Sequence, residues 1–168
     1  NIEKNDFCFG IAEVLKELIH DIKKFWPEAK GKIHIDAYKE VQFVDGFEVK
    51  IVEKNSDIPK NHLFFINLGG YKRGQFEELH EQILMVDQSM SKIIRRVKKT
   101  EFYKTMGFPE AVSHIDDKHG VDIDDIYKVN DILPLRMKEN YSIILEKTEI
   151  ENQENFTFIG YLVISKLK

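Results

Sequence analysis

Two stretches of the sequence match each other at a constant separation of 80 residues, and this internal match constrains the fold more than any other feature. When residues 34–49 are aligned with 114–129, six of the sixteen positions are identical, including His34-Ile35-Asp36 and His114-Ile115-Asp116. An aromatic-Pro-Glu-Ala segment and an apolar helical pattern precede both stretches. Because a repeated order of elements is the signature of a repeated structural unit, the sequence predicts two diverged copies of one unit.

The local patterns predict which elements this unit contains. Apolar residues at spacings of three and four predict a helix over 11–26, and Ser89 is a suitable N-cap for a second helix. Asp45-Gly46 is a strong hairpin signal, while 62–68 is an apolar strand. A complete unit then reads β-β-α-β-β, with tight turns in both copies and a largely antiparallel sheet. The first copy lacks a counterpart of the strand at 62–68, which we expect to lie before Asn1.

The predicted fold class is therefore α+β, with a duplicated β-β-α-β-β-like unit. The first repeat unit covers 1–54, the second covers 62–134, and 135–168 forms a C-terminal extension. Within that extension, 142–150 and 156–167 are rich in β-branched and aromatic residues, which predicts a closing β-hairpin. We expect the two units to share one core in a single compact domain.

Composition limits the classes of protein that the chain can represent. Hydrophobic residues make up 42 % of the 168 residues, and no apolar run approaches the length of a membrane span. The net charge of −4 makes nucleic acid an improbable partner, and the single cysteine excludes an internal disulfide. We therefore expect a soluble, cytoplasmic protein. Unpaired strand edges in such units favour association, so a homodimer is also expected.

The two His-Ile-Asp motifs are the most informative polar feature. Residues i and i+2 of a strand share a face, so His34 and Asp36 are expected to lie on one face, and His114 and Asp116 on another. Two imidazoles and two carboxylates that converged would suit zinc, iron or manganese, or acid–base chemistry. The alternative is a structural role, in which Asp accepts backbone hydrogen bonds and His bonds to its neighbour. A duplicated motif favours the structural interpretation.

A second candidate site lies in a glycine-rich segment that we expect to form a turn after the strand at 62–68. Gly69, Gly70, Lys72 and Arg73 would bind an anion through backbone N–H groups and two cations. The spacing does not match a P-loop or a dinucleotide-binding fingerprint. Two glycines in a mobile hairpin loop explain the segment equally well.

Several motifs resemble an uncharacterised bacterial family, the domain-of-unknown-function 1543 family, over roughly residues 5–145. These motifs are Phe9-Gly10, Phe25-Trp26-Pro27-Glu28-Ala29, His34-Ile35-Asp36-Ala37, Val44-Asp45-Gly46, Phe64-Phe65-Ile66-Asn67-Leu68-Gly69-Gly70-Tyr71, Ser113-His114-Ile115-Asp116-Asp117 and Asp131-Ile132-Leu133-Pro134. The resemblance implies a bacterial, often duplicated protein, and it implies no activity, cofactor or catalytic residue.

Two functions follow as hypotheses. The first is a non-catalytic binding or interaction module, because the sequence contains no recognisable catalytic constellation. The second is a metal-binding protein or small-molecule enzyme whose site lies between the repeats and uses the two His-Ile-Asp motifs. The sequence does not identify a cofactor or a ligand for either.

Overall fold

A computed structural model describes residues 6–30, 32–106, 123–149 and 154–167. In chain order its strands are β1 (His34–Lys39), β2 (Phe43–Val44), β3 (Phe47–Glu53), β4 (His62–Tyr71), β5 (Glu78–Asp87), β6 (Ile123–Lys128), β7 (Tyr141–Lys147) and β8 (Thr157–Val163). The helices are α1 (Ile19–Phe25), α2 (Met90–Val97), α3 (Glu101–Thr105), α4 (Val129–Ile132) and α5 (Leu135–Asn140). Short 3₁₀ turns cover Leu15–Leu18, Pro27–Ala29 and Ile164–Lys166.

The strands form three separate antiparallel sheets, with the orders β1-β8, β2-β3-β7 and β5-β4-β6. The predicted α+β class with antiparallel pairing is therefore confirmed. Internal contacts divide the chain into two units: unit 1 contains 1–56 and 132–168, and unit 2 contains 57–131. The C-terminal segment thus belongs to the same unit as the N-terminal one. Among the described residues, no helix has both the length and the hydrophobicity needed to cross a membrane.

Unit 2 is built around the central strand β4, which pairs along its whole length with β5 and over Phe64–Leu68 with β6. Alternate β4 residues Phe64, Ile66 and Leu68 are at most 1 % exposed. They pack with Ile93 and Val97 of α2, which are both 0 % exposed. Every second residue of β4 therefore faces the apolar side of α2, which recurs with the helical period of 3.6 residues. This arrangement is expected for a helix that covers one face of a sheet.

The helical part of unit 2 begins where the sequence predicts and then divides. Ser89 occupies the N-cap position of α2 with extended backbone angles, as predicted, but its side chain makes no capping hydrogen bond. A second helix, α3, then begins after Thr100. The Thr100 hydroxyl caps this helix by accepting a hydrogen bond from the Tyr103 N–H at 3.3 Å. Gly70 allows α3 to approach β4, because a Cβ atom there would lie 2.7 Å from Cβ of Met106.

The predicted C-terminal hairpin is wrong. Both strands exist, but β7 pairs with β3 from Tyr141 to Lys147, and β8 pairs with β1. Just before β8, the side chain of Asn155 binds the backbone of Gln42 and Phe43. Each C-terminal strand therefore completes a sheet started by N-terminal residues of the same unit.

The first helix is shorter than predicted. The pattern over residues 11–26 predicts one helix, but the α-helix occupies only Ile19–Phe25, after the 3₁₀ turn at Leu15–Leu18. Val14 has extended backbone angles. A Cβ atom on Gly10 would lie 2.6 Å from Cδ2 of Leu18, so the preceding segment folds back against the helix start instead of extending it.

The prediction that both copies turn tightly is wrong where both can be compared. Asp45 and Gly46 have φ angles of 53° and 75° and form the predicted hairpin turn between β2 and β3. The aligned positions Asp125 and Ile126 lie inside the continuous strand β6. A β-branched isoleucine strongly disfavours positive φ, which explains why the second stretch stays extended. Residues 114–122 lie outside the described residues, and the duplication stays a prediction.

Candidate functional site

The candidate site lies on the two-stranded ribbon that β1 and β8 form in unit 1. The ladder pairs His34 with Val163 and Tyr38 with Phe158, and its register shifts between Ile35 and Ala37. There Asp36 lies opposite two residues of β8, Gly160 and Tyr161, which is a β-bulge. Bulges bend a strand and redirect side chains, and the extra residue of this one lies on β8.

His34 and Asp36 share one face of β1, as the sequence predicts. The Nε2 atom of His34 lies 3.2 Å from Oδ1 of Asp36, and their side chains are 24 % and 58 % exposed. The Tyr161 ring lies against the imidazole, with a centroid separation of 4.4 Å and an interplanar angle of 30°. The imidazole is thus held by a carboxylate at one nitrogen and an aromatic ring beside it, while the carboxylate stays open to solvent.

Aromatic rings continue along this face. The Tyr38 ring stacks on Phe158 at 5.4 Å and contacts Phe156 at 5.9 Å. The end of the Phe158 ring lies over Gly160, where a Cβ atom would be 3.0 Å from Cζ. We call this surface the aromatic face; its members are His34, Asp36, Tyr38, Phe156, Phe158 and Tyr161. It presents five rings and one exposed carboxylate.

The opposite face of the ribbon is aliphatic. We define the aliphatic face as Ile35, Ala37, Ile159 and Leu162, which alternation and the pairing register place together. Ile159 is 82 % exposed, which is unusual for a large apolar side chain in a strand. Residues 156–163 carry no charged side chain. Both faces of the ribbon are therefore suited to contact other molecules.

The end of the ribbon is fixed by Asn155. Its side-chain oxygen accepts hydrogen bonds from the Gln42 and Phe43 N–H groups at 2.7 and 2.9 Å, and its amide nitrogen donates to the Phe43 carbonyl at 2.7 Å. The Glu40 N–H also donates to the Phe156 carbonyl at 2.9 Å. The Asn155 side chain thus hydrogen-bonds backbone groups that follow β1, and these bonds hold the start of β8 beside the end of β1.

Only half of the predicted His-Ile-Asp site can be placed. His114 and Asp116 lie outside the described residues, so the proposed convergence of four side chains stays a prediction. Within the part of the chain that the structure describes, no three His, Cys, Asp or Glu side chains are grouped so that they could hold a metal ion. The observed His34–Asp36 pair is a two-residue contact on one strand.

The predicted glycine-rich turn begins later than expected. Gly69 and Gly70 are buried within β4, where they pair with His80 and Leu79, so their assignment to a turn is wrong. A glycine in a strand permits close backbone or helix approach, and Gly70 has this role against Met106. Lys72 and Arg73 do lie in the exposed turn. Anion binding by this segment stays a prediction.

Basic residues of α2 interact with acidic groups of unit 2 itself. Lys92 lies 3.9 Å from Asp87, and Arg96 lies 3.6 Å from the same carboxylate while it donates to the Val86 carbonyl at 2.7 Å. Elsewhere in the sheet, the Tyr127 hydroxyl donates to Asp125 at 2.6 Å, which raises the pKa of Tyr127. These contacts pair Lys92 and Arg96 with Asp87, and they define no convergent site among the described residues.

Sequence reasoning missed the β8 contribution to the site. Tyr161, Phe158 and Phe156 were assigned to a closing hairpin, and none was associated with His34. The available signal was the uncharged, aromatic composition of 156–163, which is atypical of an exposed strand. The pairing itself joins residues more than a hundred positions apart, which no local pattern indicates.

The structure is that of an α+β protein with exposed aromatic side chains on one two-stranded ribbon. The family model for "Domain of Unknown Function (DUF1543)" matches residues 1–51, so the resemblance predicted from the sequence is confirmed for this part of the chain. No curated protein matches the chain significantly. The family description gives no activity, and the function must be inferred from the site.

A solved structure supports the fold. The crystal structure of a protein Il1583 from Idiomarina loihiensis is similar to this chain, with a TM-score of 0.61 and 19 % sequence identity. The match covers 98 % of this chain and 88 % of that chain. At this identity the similarity shows the fold alone.

Proposed function

We propose that this protein is a non-catalytic binding module whose contact element is the β1–β8 ribbon. The observation that carries the proposal is the exposure of Phe156, Ile159 and Tyr161, at 56 %, 82 % and 70 %. A two-stranded ribbon is marginally stable in water unless its faces pack against something else. Large apolar side chains on both faces of such a ribbon are typical of an interaction surface.

A second copy of the chain is the partner that the aliphatic face fits. A twofold contact places the same patch on both subunits, so the patch must complement itself. β8 contributes no charged side chain to this patch, and Lys39 lies at the end of β1, away from Ile35 and Leu162. Because the bulge at Gly160 and Tyr161 interrupts the strand edge, we assign the contact to aliphatic side chains around Ile159 instead of to a continuous shared ladder.

Sedimentation velocity over a concentration series tests this assignment. The wild-type chain is expected to associate as its concentration rises, and Ile159→Glu is expected to remain monomeric at all concentrations. Ile58→Glu is the matched control, because Ile58 is 93 % exposed in the connector before β4. Circular dichroism checks that both variants are folded. A monomeric wild type, or equal weakening by both variants, would contradict the homodimer.

The proposal also includes properties predicted from the sequence. The matching His-Ile-Asp motifs support an internal duplication, and the single cysteine supports a cytoplasmic location. The net negative charge supports a partner other than nucleic acid. The alternative function, a metal site or enzyme built from His34, Asp36, His114 and Asp116, has no supporting observation among the described residues.

A further inference from the structure

The aromatic face combines two kinds of group that recognise the same chemistry. Tyr161 presents a ring that is 70 % exposed, and Asp36 presents a carboxylate whose side chain is 58 % exposed. The bulge places these two residues opposite each other in the ladder. An exposed ring attracts a cation to its face, and a carboxylate accepts hydrogen bonds from the same cation.

The charges around this face favour a cationic ligand. Asp36 lies at its centre, and the exposed residues Glu40 and Glu154 flank the Phe156 end. The lysine of β1, Lys39, pairs with Thr157 and lies on the same side of the ribbon as the aliphatic face by alternation. An anionic or phosphate-bearing ligand would meet these carboxylates, and the imidazole of His34 on this face already contacts Asp36.

Arginine fits this combination better than lysine. A guanidinium group is planar, so it stacks on an aromatic ring, and its N–H groups form a fork that matches a carboxylate. An ammonium group is a compact and strongly hydrated charge that does neither as well. The row of rings along Tyr38 and Phe158 would support the aliphatic stem and the neighbouring residues of an extended segment.

We propose that the aromatic face binds an arginine side chain of a partner protein, with the guanidinium stacked on Tyr161 and paired with Asp36. This inference rests on the proposed function as a binding module, because it names the group that the ribbon recognises. It is independent of the aliphatic face, which lies on the other side of the ribbon.

Nuclear magnetic resonance titration of the full chain tests the inference with two capped peptides, acetyl-Gly-Arg-Gly-amide and acetyl-Gly-Lys-Gly-amide. The arginine peptide is expected to shift the resonances of Asp36, Tyr161 and their strand neighbours, with an affinity at least about fivefold higher than that of the lysine peptide. Asp36→Asn and Tyr161→Leu are each expected to lower the affinity for the arginine peptide about fivefold or more.

Two matched variants control for general charge and aromatic effects. Asp57→Asn removes an exposed carboxylate from the connector, and Tyr141→Leu removes a tyrosine that is 37 % exposed on β7. Both are expected to bind the arginine peptide as the wild type does. Equal affinity for the two peptides would show attraction to net charge alone, and unchanged binding by Asp36→Asn would show that the peptide binds elsewhere. Either result would overturn the inference.

The outcome is separable from that of the homodimer test. If Ile159→Glu abolishes association but no peptide binds, the arginine inference fails and the ribbon remains an interaction surface. If the arginine peptide binds a chain that is monomeric at every concentration, the inference stands and the homodimer fails.

Discussion

The central sheet of unit 2 and the β1–β8 ribbon of unit 1 use their apolar residues in opposite ways. In unit 2, Phe64 and Ile66 are fully buried beneath α2, whose own Ile93 is also 0 % exposed. In unit 1, the strands β1, β3, β7 and β8 contain no buried residue among those described, and Ile159 is 82 % exposed. Unit 1 buries Val44, Leu133, Met137 and Ile164 outside these four strands. The central strand of unit 2 is therefore part of a buried core, whereas the β1–β8 ribbon of unit 1 leaves large apolar side chains exposed.

The largest test of this comparison is truncation of one apolar side chain in each unit. Phe64→Ala removes a fully buried ring and is expected to lower the free energy of unfolding by about 3–5 kcal/mol. Ile159→Ala is expected to cost less than about 1 kcal/mol, because its side chain is already in water. Urea denaturation followed by circular dichroism measures both. Comparable losses of stability in the two variants would show that the ribbon packs against the rest of unit 1 more tightly than the exposure of Ile159 indicates.

The fluorescence of Trp26 allows the unfolding of unit 1 to be followed separately in this experiment. It is the single tryptophan of the chain and lies in unit 1, directly after α1. Circular dichroism reports on the helices and strands of both units. A Phe64→Ala variant whose circular dichroism transition shifts more than its tryptophan transition would show that the two units unfold separately.

Two glycines provide a second, smaller test. A Cβ atom at Gly70 would lie 2.7 Å from Cβ of Met106, an atom fixed to the backbone next to α3. Gly70→Ala is therefore expected to lower stability by about 1–3 kcal/mol through overpacking. At Gly160 the nearest atom is Cζ of Phe158, at 3.0 Å, which is the far end of a ring that can rotate away.

Gly160→Ala is thus expected to cost less than Gly70→Ala, and to change the ring contacts of the aromatic face instead. Thermal unfolding compares the two variants, and the ring resonances of Tyr38 and Phe158 report the local change. If Gly160→Ala were the more destabilising of the two, the ribbon would be a tightly packed part of unit 1, and the contrast between the units would be wrong.

The same contrast explains what could be predicted from the sequence. Unit 2 has its strand at 62–68 and its Ser89 cap where local periodicity places them, because neighbouring segments bury each other. In unit 1, β7 and β8 were correctly predicted as strands, but their partners were predicted incorrectly. Each pairs with a strand about a hundred residues away in the sequence. A pattern of side chains fixes which face is apolar, but it does not specify which distant strand lies alongside.

The candidate site shows the same limit. That His34 and Asp36 share a face follows from the period of two along a strand, and their contact at 3.2 Å confirms it. The contact of the Tyr161 ring with His34 depends on the pairing of β8 with β1 and on the bulge between them. Gly69 and Gly70 were misplaced for a related reason, since a glycine pair in sequence indicates a turn and a close packing contact equally well.

The smallest predicted effect concerns a polar link that holds unit 1 together. Arg136 of α5 donates to both carboxylate oxygens of Asp21 in α1, and the hydrogen bond from this guanidinium is the main reason that the pKa of Asp21 is lowered. In the unfolded chain the pKa returns to about 4. The pair therefore stabilises the fold above that value, and the stabilisation is lost as the pH falls through the lower pKa of the folded state.

Arg136→Gln is expected to remove this contribution, so the variant loses less stability than the wild type when the pH is lowered from about 6 to about 3. Urea denaturation followed by Trp26 fluorescence measures the difference in unit 1. Lys50→Gln is the control, because Lys50 contacts Glu48 and Glu146 at a solvent-exposed position where such pairs contribute little. An identical pH dependence in the wild type and Arg136→Gln would mean that α1 is held by its half-buried apolar contacts instead of by this link, which would bring unit 1 closer to the organisation of unit 2.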